Sequence, residues 1–221
     1  MITLLIGTCD SYSFLWDNFT TLCDKHWLVD CEKIFISETK NVEAAGYKTH
    51  LSGNGPWTDR IISALDAVET EYTFFVLEDY FLTEVIDQSE IDLHIEFIKE
   101  FDANKVMMEP LSYLMKYDMG NFIDFNGRRA YKVMDNSDYL TSVQPSVWKT
   151  EFFKKVIHKD WNPWQFECTG TDMIRGGDNR VYDMLRDKKI YWNAVRRGGN
   201  ISPGWEDIKS RFNLKEIKNE K

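Results

Sequence analysis

The sequence has no Cys-x-x-Cys pair: its four cysteines, Cys9, Cys23, Cys31 and Cys168, lie far apart. The four histidines, His26, His50, His94 and His158, are equally scattered. These absences argue against a zinc site and against a disulfide framework, so reduced, buried thiols are expected. No apolar run approaches the roughly 20 residues that span a bilayer. The amino-terminal stretch reads as a strand followed by polar residues rather than as a leader peptide. A soluble, cytoplasmic protein with at most peripheral membrane contact is the expectation. Positive charge is also short, with 27 Lys and Arg against 36 Asp and Glu and a formal net charge of -9. Nucleic acid is therefore not the expected partner, because phosphate backbones need a basic face. A nucleotide needs only a few local cations. Gly-x-Gly-x-x-Gly is missing, and with it the dinucleotide fingerprint. Repeats, low-complexity segments and linkers are missing too. Disorder is excluded by a composition 43% hydrophobic and 14% aromatic, and 221 residues suffice for one substantial core.

What the chain does contain is organised around Thr73 to Thr83. Phe74 to Leu77 reads as a strand buried on both faces, and at its end Glu78 and Asp79 appear abruptly. Two adjacent carboxylates among apolar residues are costly to desolvate unless something pairs with them. Ligands of open α/β sheets bind at the carboxyl ends of strands. A divalent cation on Asp79, with Glu78 beside it, bridging to a phosphorylated ligand, is one reading. A salt bridge or a cap for the next element is the other.

Ile2 to Ile6, closed by Gly7, reads as a central parallel strand leading into the polar loop Thr8, Cys9, Asp10 and Ser11. Leu15, Phe19, Leu22, Cys23 and His26 then recur at helical spacing. Thr8 and Asp10 are placed either to hydrogen-bond a base or ribose or to cap that helix. Lys33 to Ile36 reads as a second strand ending in Ser37, Glu38 and Thr39, which would sit beside the first loop. After a weakly patterned connector over 41–49 and a Gly-rich loop, Pro56 opens a helix carrying Ile61, Ile62, Leu65 and Val68. Trp57 and Arg60 lie in its first turn, and Arg60 is either a phosphate or sugar contact or a surface arginine.

Ser89 and Asp92 have the spacing of a capping box for a helix ending near Phe101, with His94 packed on it. Lys105 to Glu109, Tyr131 to Met134 and Tyr139 to Gln144 suggest strands, and Glu151 to His158 a helix. Trp161, Pro163 and Trp164 lie just before Glu167, and such flat aromatic faces either pack or bind sugar rings. Thr171 and Asp172 are expected to cap a helix running through Val181, Met184 and Leu185. Ile190 to Val195 suggests a last strand, followed by Arg196, Arg197 and two glycines, a turn suited to a diphosphate. Trp205, Ile208 and Phe212 share one face of a tail helix, which either packs on the body or meets a lipid surface or partner.

The order of these features resembles the bacterial and viral-type sugar-nucleotide glycosyltransferases of the GT-A fold, including capsular and lipopolysaccharide-type enzymes. The resemblance is carried by the first strand running into Thr8-Cys9-Asp10 and by the Trp57-to-Arg60 helix start. It is carried further by Val76-Leu77-Glu78-Asp79-Tyr80, where that family has Asp-x-Asp, and by Trp161 to Glu167, which looks like an acceptor segment. It implies an α/β fold, a single GT-A domain with a Rossmann-like, mixed, mostly parallel sheet flanked by helices. Within it, 1–104 would form the donor half, 105–200 the acceptor half and 201–221 an amphipathic tail. The implied activity moves a sugar, in the manner of a hexosyltransferase, from a nucleoside diphosphate sugar to a glycan or lipid-linked acceptor. The implied donor is a UDP-sugar and the cofactor Mn²⁺ or Mg²⁺. Donor contacts would be Thr8, Asp10, Glu38, Trp57, Arg60, Arg196 and Arg197. Metal contacts would be Asp79 and Glu78, and acceptor contacts Trp161, Trp164 and Asp172. Glu167 would be the base of an inverting displacement, with Asp172 its nearest competitor. Two departures stand out: the motif reads Glu-Asp, and no histidine lies near the C-terminal end, where Arg196 and Arg197 stand in to hold the diphosphate. A carbohydrate-binding module without catalysis and a sugar-nucleotide nucleotidyltransferase are the alternatives. The second usually needs a basic loop after the first strand, and Gly7 to Ser13 has no Lys or Arg.

Overall fold

The computed structural model describes residues 1–196 and 199–217. Nine strands form its main sheet: β1 (Ile2–Gly7), β2 (Glu32–Ser37), β3 (Tyr47–Leu51), β4 (Tyr72–Leu77), β5 (Lys105–Met107), β6 (Tyr117–Phe125), β7 (Arg128–Val133), β8 (Ser146–Lys149) and β9 (Val181–Met184). Their spatial order is β3-β2-β1-β4-β8-β5-β9-β7-β6. The first four strands are mutually parallel. β8 runs antiparallel to both its neighbours, β4 and β5. β5 and β9 are parallel, and the β6–β7 hairpin closes the far edge antiparallel to β9.

Strand parity builds the two faces, because successive side chains point to opposite sides. Leu4, Ile6, Phe74 and Val76 enter one core with α1 (Trp16–His26) and α3 (Gln88–Phe101). Leu5, Phe75, Ile34 and Ile36 enter the other with α2 (Trp57–Asp66) and α4 (Thr150–Val156). Strands buried on both faces must be apolar at every position, which is why they stood out in the sequence. The register sets Gly7 opposite Ile36 on one side and Leu77 on the other. The loops after β1, β2 and β4 therefore emerge at one edge. Gly7 is required there: a Cβ would lie 2.9 Å from the Phe75 ring.

Several local expectations change. The connector over 41–49 contains the start of β3, an edge strand whose burial is too slight to leave an apolar pattern. The cap of α3 is Asp87, which accepts from the Glu90 amide at 3.0 Å, not Ser89. Tyr139 to Gln144 is not a strand. Tyr139 takes a left-handed φ of 59°, and the Thr141 hydroxyl donates to the Phe166 carbonyl at 2.7 Å, so the strand β8 begins only after Pro145. The helix expected through Val181 and Leu185 stops at Ile174, the left-handed Gly176 follows (φ 80°), and Val181–Met184 is the sheet strand β9. All four cysteines are free, but only Cys23 is fully buried. The tail forms α5 (Trp205–Phe212), whose Trp205 is buried and stacks on Trp192 with ring centroids 6.0 Å apart. Among the described residues, no helix is long and apolar enough to cross a membrane.

Candidate active site

The carboxyl ends of β1 and β4 open into a pocket of about 330 Å³. Thr8, Trp57, Arg60, Glu78, Asp79 and Arg196 all line it, although they come from four separated segments. Tyr12, Cys9, Leu77, Pro163 and Val195 complete the wall. Glu78 follows β4 directly, and its amide donates to the Gly7 carbonyl at 3.3 Å. Burial, reinforced by the adjacent Asp79, holds the Glu78 carboxyl well above the usual carboxylate range, while the Thr8 hydroxyl and Arg60 oppose the shift. Burial pushes Asp79 up to about 7. Asp79 lines the pocket, and among the described residues its Oδ1 is buried with no hydrogen-bond partner. An orphaned, buried carboxylate oxygen is costly unless a cation or a donor group meets it. Among the described residues no group of three or more His, Cys, Asp or Glu could hold a metal. A cation on Glu78 and Asp79 would need its other ligands from elsewhere, as Mg²⁺ takes them from a bound phosphate and water at phosphate sites.

The other donor-side residues divide sharply. Arg60 is almost wholly buried, donates to the Thr8 carbonyl at 2.8 Å and pairs with Glu38 at 3.0 Å. It ties the ends of β1 and β2 together, while among the described residues its Nε has no partner. Thr8 lines the pocket, but its Oγ1 already accepts the Trp16 indole N–H at 2.7 Å. Asp10 and Glu38 stand behind the pocket, not in its lining. The Asp10 carboxylate accepts from the amides of Glu38, Thr39 and Lys40 and from the Thr39 hydroxyl, and Glu38 accepts from the Asp10 amide. Burial works against the Asp10 charge, but those donors outweigh it and lower its pKa. Asp10 is thus a loop clamp in this structure. Arg196 is exposed at the pocket mouth, and Arg197 lies outside the described residues.

Glu167 does not line this pocket. It borders a second cavity of about 380 Å³ with Asp138, Tyr139, Cys168, Thr171, Asp172 and Arg175. The Pro163-to-Glu167 segment runs between the two cavities. Glu167 Oε1 accepts from the Val143 amide at 2.9 Å. Burial raises its pKa, against that amide, Lys105 and the Ser142 hydroxyl. Asp172 is instead exposed and pairs with Arg175 at 3.0 Å. Trp161 packs inward, its ring 5.2 Å from His158, while its backbone carbonyl accepts from the Thr58 amide at 3.0 Å. That pairing fastens the segment to α2. Trp164 is 63% exposed, edge-on to Tyr139, and is the open aromatic face of the pair.

Tyr12 and the buried trio Lys105, Glu109 and Asp183 were not singled out from the sequence as site residues. A signal existed for two of them: Lys105 and Glu109 bracket the apolar run Val106 to Met108, at strand positions where charge is expensive.

No family model matches the chain, and no curated protein matches it. Solved structures do. The chain aligns with Staphylococcus aureus TarS residues 1–349, a GT-A glycosyltransferase, with a TM-score of 0.55 at 18% identity, covering 86% of this chain and 59% of that one. A TarS structure in complex with UDP gives a TM-score of 0.56 at 17% identity, over 96% of this chain and 63% of the other. The fold is GT-A-like. A CMP:2-keto-3-deoxy-manno-octonic acid synthetase complexed with CTP aligns over 96% of this chain and 98% of its own, with a TM-score of 0.53 at 10% identity. The chain thus spans less than two thirds of the TarS chains and nearly all of the synthetase.

Proposed function

We propose that the protein is a glycosyltransferase that takes a sugar from a nucleoside diphosphate donor, with the donor seated in the pocket at the ends of β1 and β4. The observation that carries this reading is the pair Glu78 and Asp79 at the end of the buried strand β4, with Asp79 Oδ1 unpartnered among the described residues and Arg196 lining the same pocket. TarS structures in complex with UDP-GlcNAc and with UDP support a UDP-sugar as the donor. Asp79 and Glu78 would hold Mn²⁺ or Mg²⁺, which as a Lewis acid stabilises charge on a departing diphosphate. Arg196 supplies further positive charge to that diphosphate, with Arg197 its neighbour in sequence. Arg60 acts from behind, holding the Thr8 and Glu38 loops at the spacing the nucleoside needs. Trp57 and Tyr12 offer flat faces to the base or the ribose.

Glu167 is the acceptor-side base in this reading. It combines a raised pKa with a place on the second cavity, whose rim carries Tyr139 and the exposed Trp164. Asp172 is the competitor, but it is exposed and its carboxylate is paired with Arg175. Proton removal from an acceptor hydroxyl on that side fits an inverting displacement, with a glycan or lipid-linked sugar as acceptor. Glu167→Gln is expected to lower turnover roughly a hundredfold or more while donor affinity persists. Near-normal turnover in Glu167→Gln, together with a loss in Asp172→Asn, would move the role to Asp172.

The second reading is a nucleotidyltransferase, favoured by the full-length overlap with the CTP-bound synthetase. The absence of any Lys or Arg from Gly7 to Ser13 speaks against it. Incubation with UDP-sugars and Mn²⁺ decides between them. Release of UDP supports the transferase, whereas pyrophosphate formed from a nucleoside triphosphate and a sugar acid or sugar phosphate supports the synthetase.

A further inference from the structure

Beside Glu167 lies a cation that the donor pocket does not use. Lys105 opens β5 and has no exposed surface. Its Nζ sits 4.3 Å from the centre of the Trp148 ring and donates to the Ser142 carbonyl at 2.7 Å, with the Leu140 carbonyl at 3.5 Å. Among the described residues no carboxylate forms an ion pair with it. A buried ammonium held by carbonyls and a ring costs more than a methionine of similar length would. The stability of the sheet alone does not account for it.

Its position does. The Ser142 carbonyl that accepts from Lys105 and the Val143 N–H that donates to Glu167 Oε1 at 2.9 Å belong to one peptide group. In a planar trans peptide the two point in opposite directions, so the group lies between ammonium and carboxylate with its dipole aligned to both. A cation on the oxygen end polarises the amide and strengthens its N–H as a donor. We propose that Lys105 is a positioning residue for Glu167, holding its carboxylate oriented and ionised through the Ser142–Val143 peptide. The inference rests on the reading of Glu167 as the acceptor-side base.

The surrounding charges are consistent with this coupling. Burial brings Lys105 down to about 7, against the carboxylates of Glu167, Asp183 and Glu109, which it faces and which favour its charge. Asp183 is itself engaged by the Tyr117 hydroxyl at 2.9 Å, and burial raises Glu109 to about 7 against the opposing effects of Lys189 and the Tyr191 hydroxyl. Glu167 faces Lys105 and the Ser142 hydroxyl from this side, and Tyr80, Tyr139 and Cys168 feel its charge from others. Lys105 is thus the cation that favours the ionised form of Glu167.

The test is the titration of the Glu167 carboxyl, followed by ¹³C NMR in the full chain, in the parent and in Lys105→Met. Loss of the ammonium is expected to move the Glu167 midpoint upward by about one pH unit. The rising limb of UDP release against pH, with UDP-GlcNAc as donor, should move the same way, with KM for the donor within about twofold of the parent. Lys105→Gln keeps a donor for the Ser142 carbonyl without the charge, and serves if the methionine variant does not fold. It should give a smaller shift in the same direction. A Glu167 midpoint that stays in place in a folded variant overturns the proposal. Turnover of Glu167→Gln is read separately: if it is normal, the base assignment fails, whatever the titration shows.

Discussion

Asp79 is the residue at which the proposed donor binding and the stability of the fold would pull apart. Burial raises its pKa from an ordinary 3.8 to about 7. Between those values the folded state keeps a proton that the unfolded chain has released, so its contribution to stability falls as pH rises through about 7. Asparagine has nothing to ionise. Asp79→Asn is therefore expected to melt at a higher temperature than the parent at pH 8, with a smaller difference at pH 5, in differential scanning fluorimetry. The same variant should lose Mn²⁺-dependent affinity for UDP in titration calorimetry. Equal melting curves at pH 8 would show that Asp79 already has a partner in the free protein. A gain in stability joined to a loss of binding is the usual signature of a site maintained for function.

The elements tell a different story, because their identity was legible where burial was two-sided and lost where it was local. β1 and β4 were read correctly as apolar strands, since both faces of each meet a core. β9 was taken for helix because Val181, Met184 and Leu185 also fit helical spacing; the left-handed Gly176 and the pairing with β5 and β7 decide otherwise. The tail helix α5 was legible as amphipathic, and the structure chooses between its two readings. Trp205 stacks on Trp192 and lies 6.3 Å from Phe81, so the apolar face belongs to the body. Trp205→Ala should cost about 3 kcal/mol, as large aromatic truncations in cores do. A urea midpoint unchanged from the parent would mean that α5 is not docked in solution.

At the scale of the molecule the main sheet is continuous across the boundary expected near residue 104. β4 pairs with β1 on one side and with β8 on the other, so its second edge is supplied by residues 146–149. A fragment of residues 1–104 would expose that edge, together with the face of Phe75 that packs on Phe153. Unpaired central edges and stripped cores are not stable alone. The fragment is expected to lack the cooperative melting transition of the whole chain, and a sharp transition in its circular dichroism would show that the donor half folds by itself.

Taken alone, the amino-acid order determined the buried strands, the acidic pair at the end of one of them and the polar loops beside it. Those features are local, and a desolvated run or an isolated carboxylate is visible in a short window. The tertiary structure decided which polar residues remain free. Asp10, Glu38 and Thr8 read as donor contacts in the sequence, but Thr39, Lys40, Arg60 and Trp16 occupy their polar atoms in the fold. Among the described residues nothing partners Asp79 Oδ1. It likewise decided that Lys105 and Glu167, 62 positions apart (167 − 105), meet at the two ends of one peptide. Hydrogen-bond satisfaction depends on partners distant in the chain, and no local pattern encodes it.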